Sequence, residues 1–441
     1  MTEPLVTGLL TDKYELTMVA AALRDGTADR RTTFEVFARS LPDGRRYGVV
    51  AGTGRLLDAL AFVRFDDDAC RLLAEFLDPD TLAYLRGFQF RGDIDGYAEG
   101  ELYFPGSPVL SVTGTFAECV LLETLALSIL NHDTAIASAA ARMVVAAGGR
   151  PLIDMGSRRT HEQAAVAAAR AAYIAGFAAT SNLAARHRYG IPAQGTSAHA
   201  FTMLHARTGE PTDVTELAAF RSQVDALGAG TTLLVDTYDV PTGVANAVAA
   251  AGPALGAVRI DSGDPGVLAR QVRDQLDGLG ATATRIVVSG DLDELSIDAL
   301  RAAPVDVYGV GTSLVTGSGS PTAHLVYKLV EVDGLPVHKS SSGKRSRGGR
   351  KEALRLSRPD GTVTEEVVHP AGCLPAAEPF RVLTTPLVRG GELVAPPHLA
   401  AARELVASGL RTLPPEGLGL SRGDPAIPTT LIPTKPIQAQ P

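Results

Sequence analysis

The stretch AVRIDSGDPG, residues 257–266, decides how the rest of the chain is interpreted. Its Val-Arg-Ile run is bounded by Gly and Pro, which is typical of a short buried strand. Asp261 and Asp264 follow at the carboxyl end of that strand and precede a helical pattern, where parallel α/β folds keep their chemistry. The same two aspartates would also suit a turn and the cap of a helix that begins near Val267. On its own, the stretch leaves both interpretations open.

Five more runs have the same form, in which a short apolar segment is followed by a polar or Gly-rich turn and a helical pattern. They are residues 151–156, 191–199, 231–239, 285–294 and 305–314. Strands that alternate with helices at intervals of roughly 20 to 40 residues indicate βα units and a parallel sheet, and a closed or nearly closed barrel accommodates this many units. We therefore expect an α/β fold with an irregular (β/α) barrel, and chemistry where the runs end.

The chain on either side of these runs has a different pattern. Residues 94–114 and the stretch after Pro321 alternate apolar and polar residues between Gly and Pro, which predicts antiparallel strands and hairpins. Some thirty residues from Phe116 onward are dense in Ala and Leu without proline, which predicts one or two long helices. We expect a mixed α/β domain from residues 1–115 together with 322–412, a barrel domain at 116–321, and a Pro-rich tail at 413–441.

Composition excludes several classes of protein. The 441 residues are 45% hydrophobic and 20% charged, which is ordinary for a soluble globular chain of two or three domains. A net charge of -8 provides no basic field for nucleic acid or anionic lipid, so local groups must hold any anionic ligand. Cys70, Cys119 and Cys373 form neither a disulfide framework nor a zinc-ligand spacing, which fits a reducing cytoplasm. We expect neither a signal peptide nor a transmembrane helix.

The ends of the six runs carry two kinds of residue that suit a phosphorylated sugar. Small residues let backbone N–H donors approach a phosphate at helix starts, and Arg158 and Arg159 can add bidentate charge. The small residues are Ser289, Gly290, Gly309, Gly311 and Thr312. The carboxylates are Asp236, Asp261, Asp264 and Asp291. Carboxylates would repel a polyanion unless a hard cation lies between, so they indicate Mg²⁺ and ribose hydroxyls. We take Asp261 and Asp264 as catalytic candidates, and Asp236 with Asp264 as candidate metal ligands.

His199 is the most informative of the nine histidines, because it ends a Gly-Thr-Ser-Ala turn at the end of one of the runs. A neutral imidazole can accept a phosphoryl group from ATP and hold it as a labile phosphoramidate. The alternative is a histidine that caps a helix or packs in the core. The residue pattern leaves both open.

Six motifs, in order and spacing, resemble those of the nicotinate phosphoribosyltransferase family. They are TDKYELTM (11–18), DMGSRRTHE (154–162), GTSAHAF (195–201), RIDSGDPG (259–266), VVSGDLDE (287–294) and YGVGTSL (308–314). The resemblance implies a type II phosphoribosyltransferase fold and a homodimer with its site at the subunit interface. It also implies the ATP-coupled formation of nicotinate mononucleotide and pyrophosphate from nicotinate and phosphoribosyl pyrophosphate, in NAD biosynthesis, with Mg²⁺ as cofactor.

The resemblance further implies roles for single residues. His199 matches the histidine that ATP phosphorylates, and Arg259 matches the arginine that lies against the nicotinate ring and its carboxylate. Tyr14 would stack on nicotinate from the partner subunit. Asn182 falls where the related nicotinamide enzyme has an aspartate, which favours an acid substrate. The remaining matches would contact the phosphoribosyl ligand, and they are Arg158, Arg159, Thr196, Ser289, Gly290, Asp291, Gly309, Gly311 and Thr312.

Two features depart from this pattern or extend it. Met155 stands where the family motif has a Phe, so an aromatic support beside the ring is lost. The basic loop 339–351 is either a solvated loop or a cover for pyrophosphate or ATP.

Three other functions compete with this one. They are a transferase for nicotinamide or quinolinate, a phosphosugar-binding regulator without activity, and a Schiff-base aldolase. The aldolase is disfavoured because none of the six lysines lies at a predicted strand end.

Overall fold

The secondary structure comes from a computed structural model that describes residues 7–195, 197–339, 347–373 and 379–433. The helices are α1 (Lys13–Asp25), α2 (Thr53–Leu60), α3 (Asp67–Leu73), α4 (Pro79–Arg86), α5 (Phe116–Val120), α6 (Glu123–Ala147), α7 (Glu162–Ala175), α8 (Leu183–Tyr189), α9 (His199–Leu204), α10 (Thr212–Leu227), α11 (Val240–Ala251), α12 (Pro265–Gly278), α13 (Glu294–Ala299), α14 (Thr312–Val315) and α15 (Leu399–Thr412). The strands are β1 (Arg31–Ala38), β2 (Gly48–Val49), β3 (Asp93–Tyr97), β4 (Leu102–Tyr103), β5 (Leu110–Thr115), β6 (Leu152–Asp154), β7 (Ala179–Thr180), β8 (Thr232–Leu234), β9 (Ala257–Ile260), β10 (Arg285–Val288), β11 (Val307–Val310), β12 (Leu325–Val332), β13 (Leu335–Pro336), β14 (Lys351–Ser357), β15 (Val363–Pro370), β16 (Phe380–Val382), β17 (Thr384–Arg389), β18 (Glu392–Leu393) and β19 (Thr429–Leu431).

The chain divides into two units. Unit 1 consists of Met1–Ser138 and Ser320–Pro441, and unit 2 of Ala139–Gly319. The prediction had drawn these boundaries at residues 116 and 321. The first boundary falls later because helix α6 begins in unit 1 and ends in unit 2, so the end of the antiparallel strands does not mark it.

Unit 2 is built on a six-stranded parallel sheet in the order β7-β6-β11-β10-β9-β8. The sheet curls into a half-barrel, which confirms the predicted irregular α/β barrel. Its strands are short apolar runs because helices cover parallel sheets on both faces. One buried cluster draws a side chain from each of five strands, and it consists of Ile153, Ala179, Ala257, Val287 and Val307. The half-buried Met155 packs against this cluster from the turn after β6.

One predicted strand of the barrel is wrong. In the described part of this run, residues 191–195 and 197–199, no strand is formed, and Ala193 makes an isolated bridge with Thr180. Pro192 has no N–H to give to a ladder, which disfavours a central strand there. The two-residue strand β7 occupies that edge instead, paired in parallel with β6.

Unit 1 carries the antiparallel strands that the alternation predicted. Its larger sheet has the order β13-β12-β1-β5-β3-β17-β18, so β1 near the chain start lies between β5 and the much later β12. A second sheet has the order β16-β14-β15-β19. Strand β19, from the Pro-rich stretch, pairs in parallel with β15. That part of the predicted tail is therefore ordered by contact with unit 1.

A buried ion cluster joins the two larger sheets of unit 1. The Arg355 guanidinium lies 2.7 Å from the Glu101 carboxylate and 2.6 Å from that of Glu366. The Tyr97 hydroxyl donates to Glu366 at 2.8 Å, and Arg381 reaches Glu101 at 2.6 Å. Arg355, Glu101 and Glu366 are all nearly inaccessible to water. Charges in such surroundings depend on one another, because each would be costly to bury alone.

The long apolar stretch from residue 116 forms two helices, α5 and α6. The Thr115 hydroxyl accepts from the Glu118 N–H, and the Glu118 carboxylate accepts from the Thr115 N–H, which starts α5 with a capping box. Phe116–Ala147 is long and apolar enough to cross a membrane, but most of it is buried inside the protein. Its apolar composition is therefore accounted for by core packing.

Candidate functional site

The carboxyl ends of β8, β9 and β10 are joined by hydrogen bonds between predicted site residues. Asp236, after β8, accepts from the Asp261 N–H at 2.8 Å and from the Ser262 hydroxyl at 2.6 Å. The Ser289 hydroxyl, after β10, donates to the Asp261 carboxylate. Three turns that are far apart in sequence thus share one polar cluster. We call the ends of β6, β7, β8, β9, β10 and β11, with the turns that follow them, the strand-end rim.

Arg259 and Asp261 form an ion pair within this rim. An Arg259 terminal nitrogen lies 3.3 Å from an Asp261 carboxylate oxygen. The Arg259 side chain is 11% exposed and that of Asp261 is 26% exposed. Alternation along a strand places residues two apart on one face, as the sequence indicated. A planar guanidinium held in this way can bind a carboxylate ligand through two parallel hydrogen bonds.

The candidate metal ligands Asp236 and Asp264 are used differently. Asp236 keeps its Oδ1 atom buried without a hydrogen-bond partner among the described residues. Asp264 is exposed and caps α12, because its Oδ1 accepts from the Gly266 and Val267 N–H groups. No cluster of three or more potential ligands is found within the described ranges. Proteins often hold Mg²⁺ through one or two carboxylates together with substrate phosphates, and Asp236 offers one such carboxylate.

His199 is the first residue of α9 and is half-buried. Its Nδ1 lies 3.2 Å from the hydroxyl of Thr237, in the turn after β8. Nε2 is the ring nitrogen that takes no part in this contact. Thr196, predicted to contact the ligand from the same motif, lies outside the described residues.

Gly290, in the turn after β10, and Gly309, within β11, lie where the chain needs a left-handed conformation or a close approach. Gly290 has φ of 92° and Asp291 has φ of 46°, both in the left-handed region. A Cβ on Gly309 would lie 2.6 Å from the Met155 sulfur and 3.1 Å from the Ser289 Cβ. Gly309 thus allows Met155, where the family motif has Phe, to lie directly over β11.

Gly311 and Thr312 start helix α14, which has only four residues. A helix this short contributes little of the dipole that attracts anions, so individual N–H donors would have to hold a phosphate there.

Asn182 and the Arg158–Arg159 pair lie at the other side of the rim, after β7 and β6. Asn182 caps α8 by accepting from the Ala185 N–H at 2.9 Å, and its Nδ2 donates to the Ser157 hydroxyl at 3.1 Å. An amide nitrogen has two hydrogens, so a second donor remains for a ligand. Arg158 and Arg159 are exposed.

Tyr14 belongs to unit 1, on helix α1, and is 45% exposed. Burial of the rest of the ring and the nearby Glu123 carboxylate raise the pKa of its phenol to about 12. The hydroxyl therefore stays protonated, and the exposed ring remains available for stacking.

Sequence reasoning missed Glu216. This residue is 1% exposed on α10, and burial raises the pKa of its carboxyl to about 7, with Asp239 and Asp236 contributing. Its Oε2 accepts from the Asn246 side chain at 3.2 Å, while its Oε1 is buried without a partner in the described part of the chain. The signal was present, because Glu216 stands in the buried stripe of α10 with Ala219, Phe220 and Gln223.

Two family models match the chain. One is described as the nicotinate phosphoribosyltransferase (NAPRTase) N-terminal domain and matches residues 9–131. The other is described as the nicotinate phosphoribosyltransferase (NAPRTase) family and matches residues 151–362. The second range contains every predicted site residue of unit 2.

Individual relatives agree with the family models. The chain is 78% identical over 427 residues to nicotinate phosphoribosyltransferase pncB1 of Mycobacterium tuberculosis, covering 97% of this chain and 95% of the relative. It is 37% identical to the nicotinate phosphoribosyltransferase of Bacillus subtilis, covering 79% and 73%. The crystal structure of human nicotinic acid phosphoribosyltransferase superposes with a TM-score of 0.82 at 26% identity, covering 97% and 98% of the two chains.

Proposed function

The chain belongs to the nicotinate phosphoribosyltransferase family, and we propose that it joins nicotinate to phosphoribosyl pyrophosphate at the strand-end rim, with ATP and Mg²⁺ as co-reactants. The products are nicotinate mononucleotide and pyrophosphate, and the reaction is a step in NAD biosynthesis. The observation that carries the site is the polar cluster of Asp236, Asp261 and Ser289, with Arg259 paired to Asp261. This cluster supports the proposal because the Arg259 guanidinium suits the carboxylate of an acid and the neighbouring aspartates suit the hydroxyls of a sugar.

Residues on both sides of the rim bind nicotinate. Arg259 offers a bidentate partner to the pyridine carboxylate, and Asn182 adds an N–H donor, which suits an acid better than an amide. Tyr14 of the partner subunit stacks on the ring. Met155 takes the place of an aromatic support, because a thioether also packs well against an aromatic face.

The phosphoribosyl group lies across the turns after β9, β10 and β11. Asp261 and Asp264 accept hydrogen bonds from ribose hydroxyls. The 5-phosphate is held by N–H donors and by Arg158 or Arg159, and the donors belong to Ser289, Gly290, Asp291, Gly309, Gly311 and Thr312. Thr196 completes the contacts. Asp236, whose Oδ1 has no partner within the described ranges, would hold Mg²⁺, and the bound ion would supply positive charge to the departing pyrophosphate.

The transfer needs no protein nucleophile on the sugar. The bond from the anomeric carbon to pyrophosphate breaks, the sugar passes through an oxocarbenium-like state, and the nicotinate nitrogen supplies the electron pair for the new bond. The residues of the rim accelerate this step by holding the two reactants in line and by stabilising charge.

ATP takes part in the reaction by phosphorylating His199. The imidazole Nε2 attacks the γ-phosphorus of ATP, ADP leaves, and the phosphoramidate is later hydrolysed to phosphate. The free energy of ATP hydrolysis thereby drives a synthesis that is otherwise reversible. Contact of Nδ1 with the Thr237 hydroxyl fixes the ring for this attack.

The protein acts as a homodimer in the cytoplasm, with each site completed at the subunit interface. The dispersed cysteines, two of them buried, support a reducing compartment. The exposed ring of Tyr14 supports a role across an interface.

The decisive experiment measures nicotinate mononucleotide with and without ATP, for the wild type and His199→Ala. We expect the variant to keep slow synthesis and to lose both the ATP stimulation and the acid-labile phosphate taken up from γ-labelled ATP. His205→Ala is the matched control, because His205 is the C-cap residue of the same helix, and it should retain both. Full ATP coupling in His199→Ala would refute the assignment. Parallel assays with nicotinamide and quinolinate test the other transferase activities.

A further inference from the structure

A closed circuit of hydrogen bonds connects the turn after β6 to the turn after β7. Asp154, the last residue of β6, is 1% exposed. Its Oδ2 accepts from the Thr180 hydroxyl at 2.6 Å, and its Oδ1 accepts from the Gly156 N–H at 2.8 Å. The Thr180 hydroxyl oxygen accepts from the Asn182 N–H at 3.0 Å. The Asn182 side chain closes the circuit by donating to the Ser157 hydroxyl at 3.1 Å.

The direction of each hydrogen bond in this Asp154 circuit is fixed by chemistry. The Asn182 Oδ1 must accept, because it caps α8 at the Ala185 N–H, so Nδ2 is the atom that faces Ser157. Thr180 has one hydroxyl hydrogen, which goes to the carboxylate, and its lone pair is left for the Asn182 N–H. Burial raises the pKa of Asp154, and the two donated hydrogen bonds oppose that rise.

Asp154 and Thr180, which lie at the centre of the circuit, are shielded from water that could replace a lost hydrogen bond. Thr180 is fully buried, and its register partner across the parallel pair of β7 and β6 is Asp154 itself. A second bond, from the Ser181 N–H to the Asp154 carbonyl oxygen at 2.7 Å, runs alongside. Loss of one hydroxyl would leave a buried acceptor and a buried donor unsatisfied, which is the costly case for hydrogen bonds.

We propose that Asp154 and Thr180 are positioning residues that hold Asn182 and the turn of Ser157 to Arg159 in one fixed arrangement. Asn182 belongs to the pyridine end of the proposed ligand set, and Arg158 and Arg159 belong to the phosphoribosyl end. The circuit therefore sets the spacing between the two reactants. The link between this spacing and the two reactants rests on the proposed function. The coupling between the two turns does not.

Thr180→Val is the sharpest test, because it keeps the shape of the side chain and removes the hydroxyl. We expect the KM values for nicotinate and for phosphoribosyl pyrophosphate both to rise about tenfold, and the preference for nicotinate over nicotinamide to fall by a similar factor. Thr180→Ser, which restores the hydroxyl, should return all three values to within about twofold of the wild type. Thr284→Val is the matched control, because it removes a buried hydroxyl, bonded to the Leu255 carbonyl at 2.9 Å, at the opposite end of the strands.

Hydrogen exchange provides a readout that does not need activity. Thr180→Val should raise exchange not only at residues 180–185 but also at 156–159, where no residue has changed, while Thr284→Val should leave both segments protected. Unchanged protection at 156–159, or kinetics that match those of Thr284→Val, would overturn the proposal. Absence of nicotinate mononucleotide synthesis by the wild type would instead overturn the proposed function, and the exchange result would still decide whether the turns are coupled.

Discussion

Replacement of Glu216 by Gln should change how the stability of unit 2 depends on pH. Burial, with Asp239 and Asp236 nearby, raises the pKa of the Glu216 carboxyl from 4.5 to about 7. At pH values between 4.5 and about 7, Glu216 has released its proton in the unfolded chain but still holds it in the folded chain. Stability from this group is therefore complete below about pH 4.5 and is lost as pH rises through about 7.

The size of the effect follows from the same interval. One pKa unit corresponds to about 1.4 kcal/mol, so the loss between pH 5 and pH 8 amounts to about 2.5 kcal/mol at most. Glu216→Gln keeps the size of the side chain and an acceptor for Asn246, but it cannot titrate. Any packing cost of the amide is the same at every pH. The variant should therefore gain up to about 2.5 kcal/mol on the wild type across this range.

Hydrogen exchange of peptides that cover α10 measures this locally, which matters because a chain of two units need not unfold in one step. The ratio of variant to wild-type rates at each pH cancels the intrinsic chemistry of exchange, and it should fall by up to about 70-fold from pH 5 to pH 8. Glu210→Gln, at an exposed carboxylate just before the helix, should keep the wild-type pH dependence. A ratio for Glu216→Gln that stays flat would refute the reasoning.

Three further substitutions test other parts of the molecule. Arg259→Ala should raise the KM for nicotinate about 10- to 100-fold, as expected for a lost charged hydrogen-bond pair, and an unchanged KM would remove Arg259 from the pyridine site. Gly290→Ala adds a Cβ against a backbone oxygen at positive φ and should cost about 1–3 kcal/mol in thermal unfolding, more than Gly280→Ala, whose Cβ meets nothing. Arg355→Met leaves Glu366 buried without its cation and should cost about 3–5 kcal/mol by chemical denaturation, so a loss below about 1 kcal/mol would contradict the cluster.

The strands that could be predicted are those whose own residues show a strand pattern. β9, β10 and β11 are β-branched runs followed by Gly-containing turns, and their ends form the rim where the chemistry was expected. β7 gave no such signal, because its two residues stand between two helices and owe their strand geometry to pairing with β6. The predicted strand at residues 191–199 failed for the opposite reason, since its Pro192 cannot donate to a ladder.

Contacts of the candidate site could be predicted from the sequence where the two residues are close in the chain. They could not be predicted where the contact depends on how distant segments pack. The pairing of Arg259 with Asp261 follows from strand alternation, and the ion pair agrees with it. The sequence left Asp264 either as a site residue or as a helix cap, and its hydrogen bonds at the start of α12 agree with the cap. The contact of His199 with Thr237 depends on how α9 lies beside the turn after β8, which no local pattern encodes.

The interruption of unit 1 by unit 2 has a consequence for how the protein is made. Strand β1 emerges early from the ribosome, but its neighbour β12 follows only after all of unit 2 has been synthesised. At about 5 to 20 residues per second, the nearly 300 residues between them take roughly 15 to 60 s. During that time β1 presents an unpaired edge to the cell, whereas unit 2 is continuous in sequence and can fold as soon as it has emerged. The nascent chain should therefore depend on holding chaperones for unit 1 and not for unit 2, which ribosome-bound chains stopped after residue 319 would reveal.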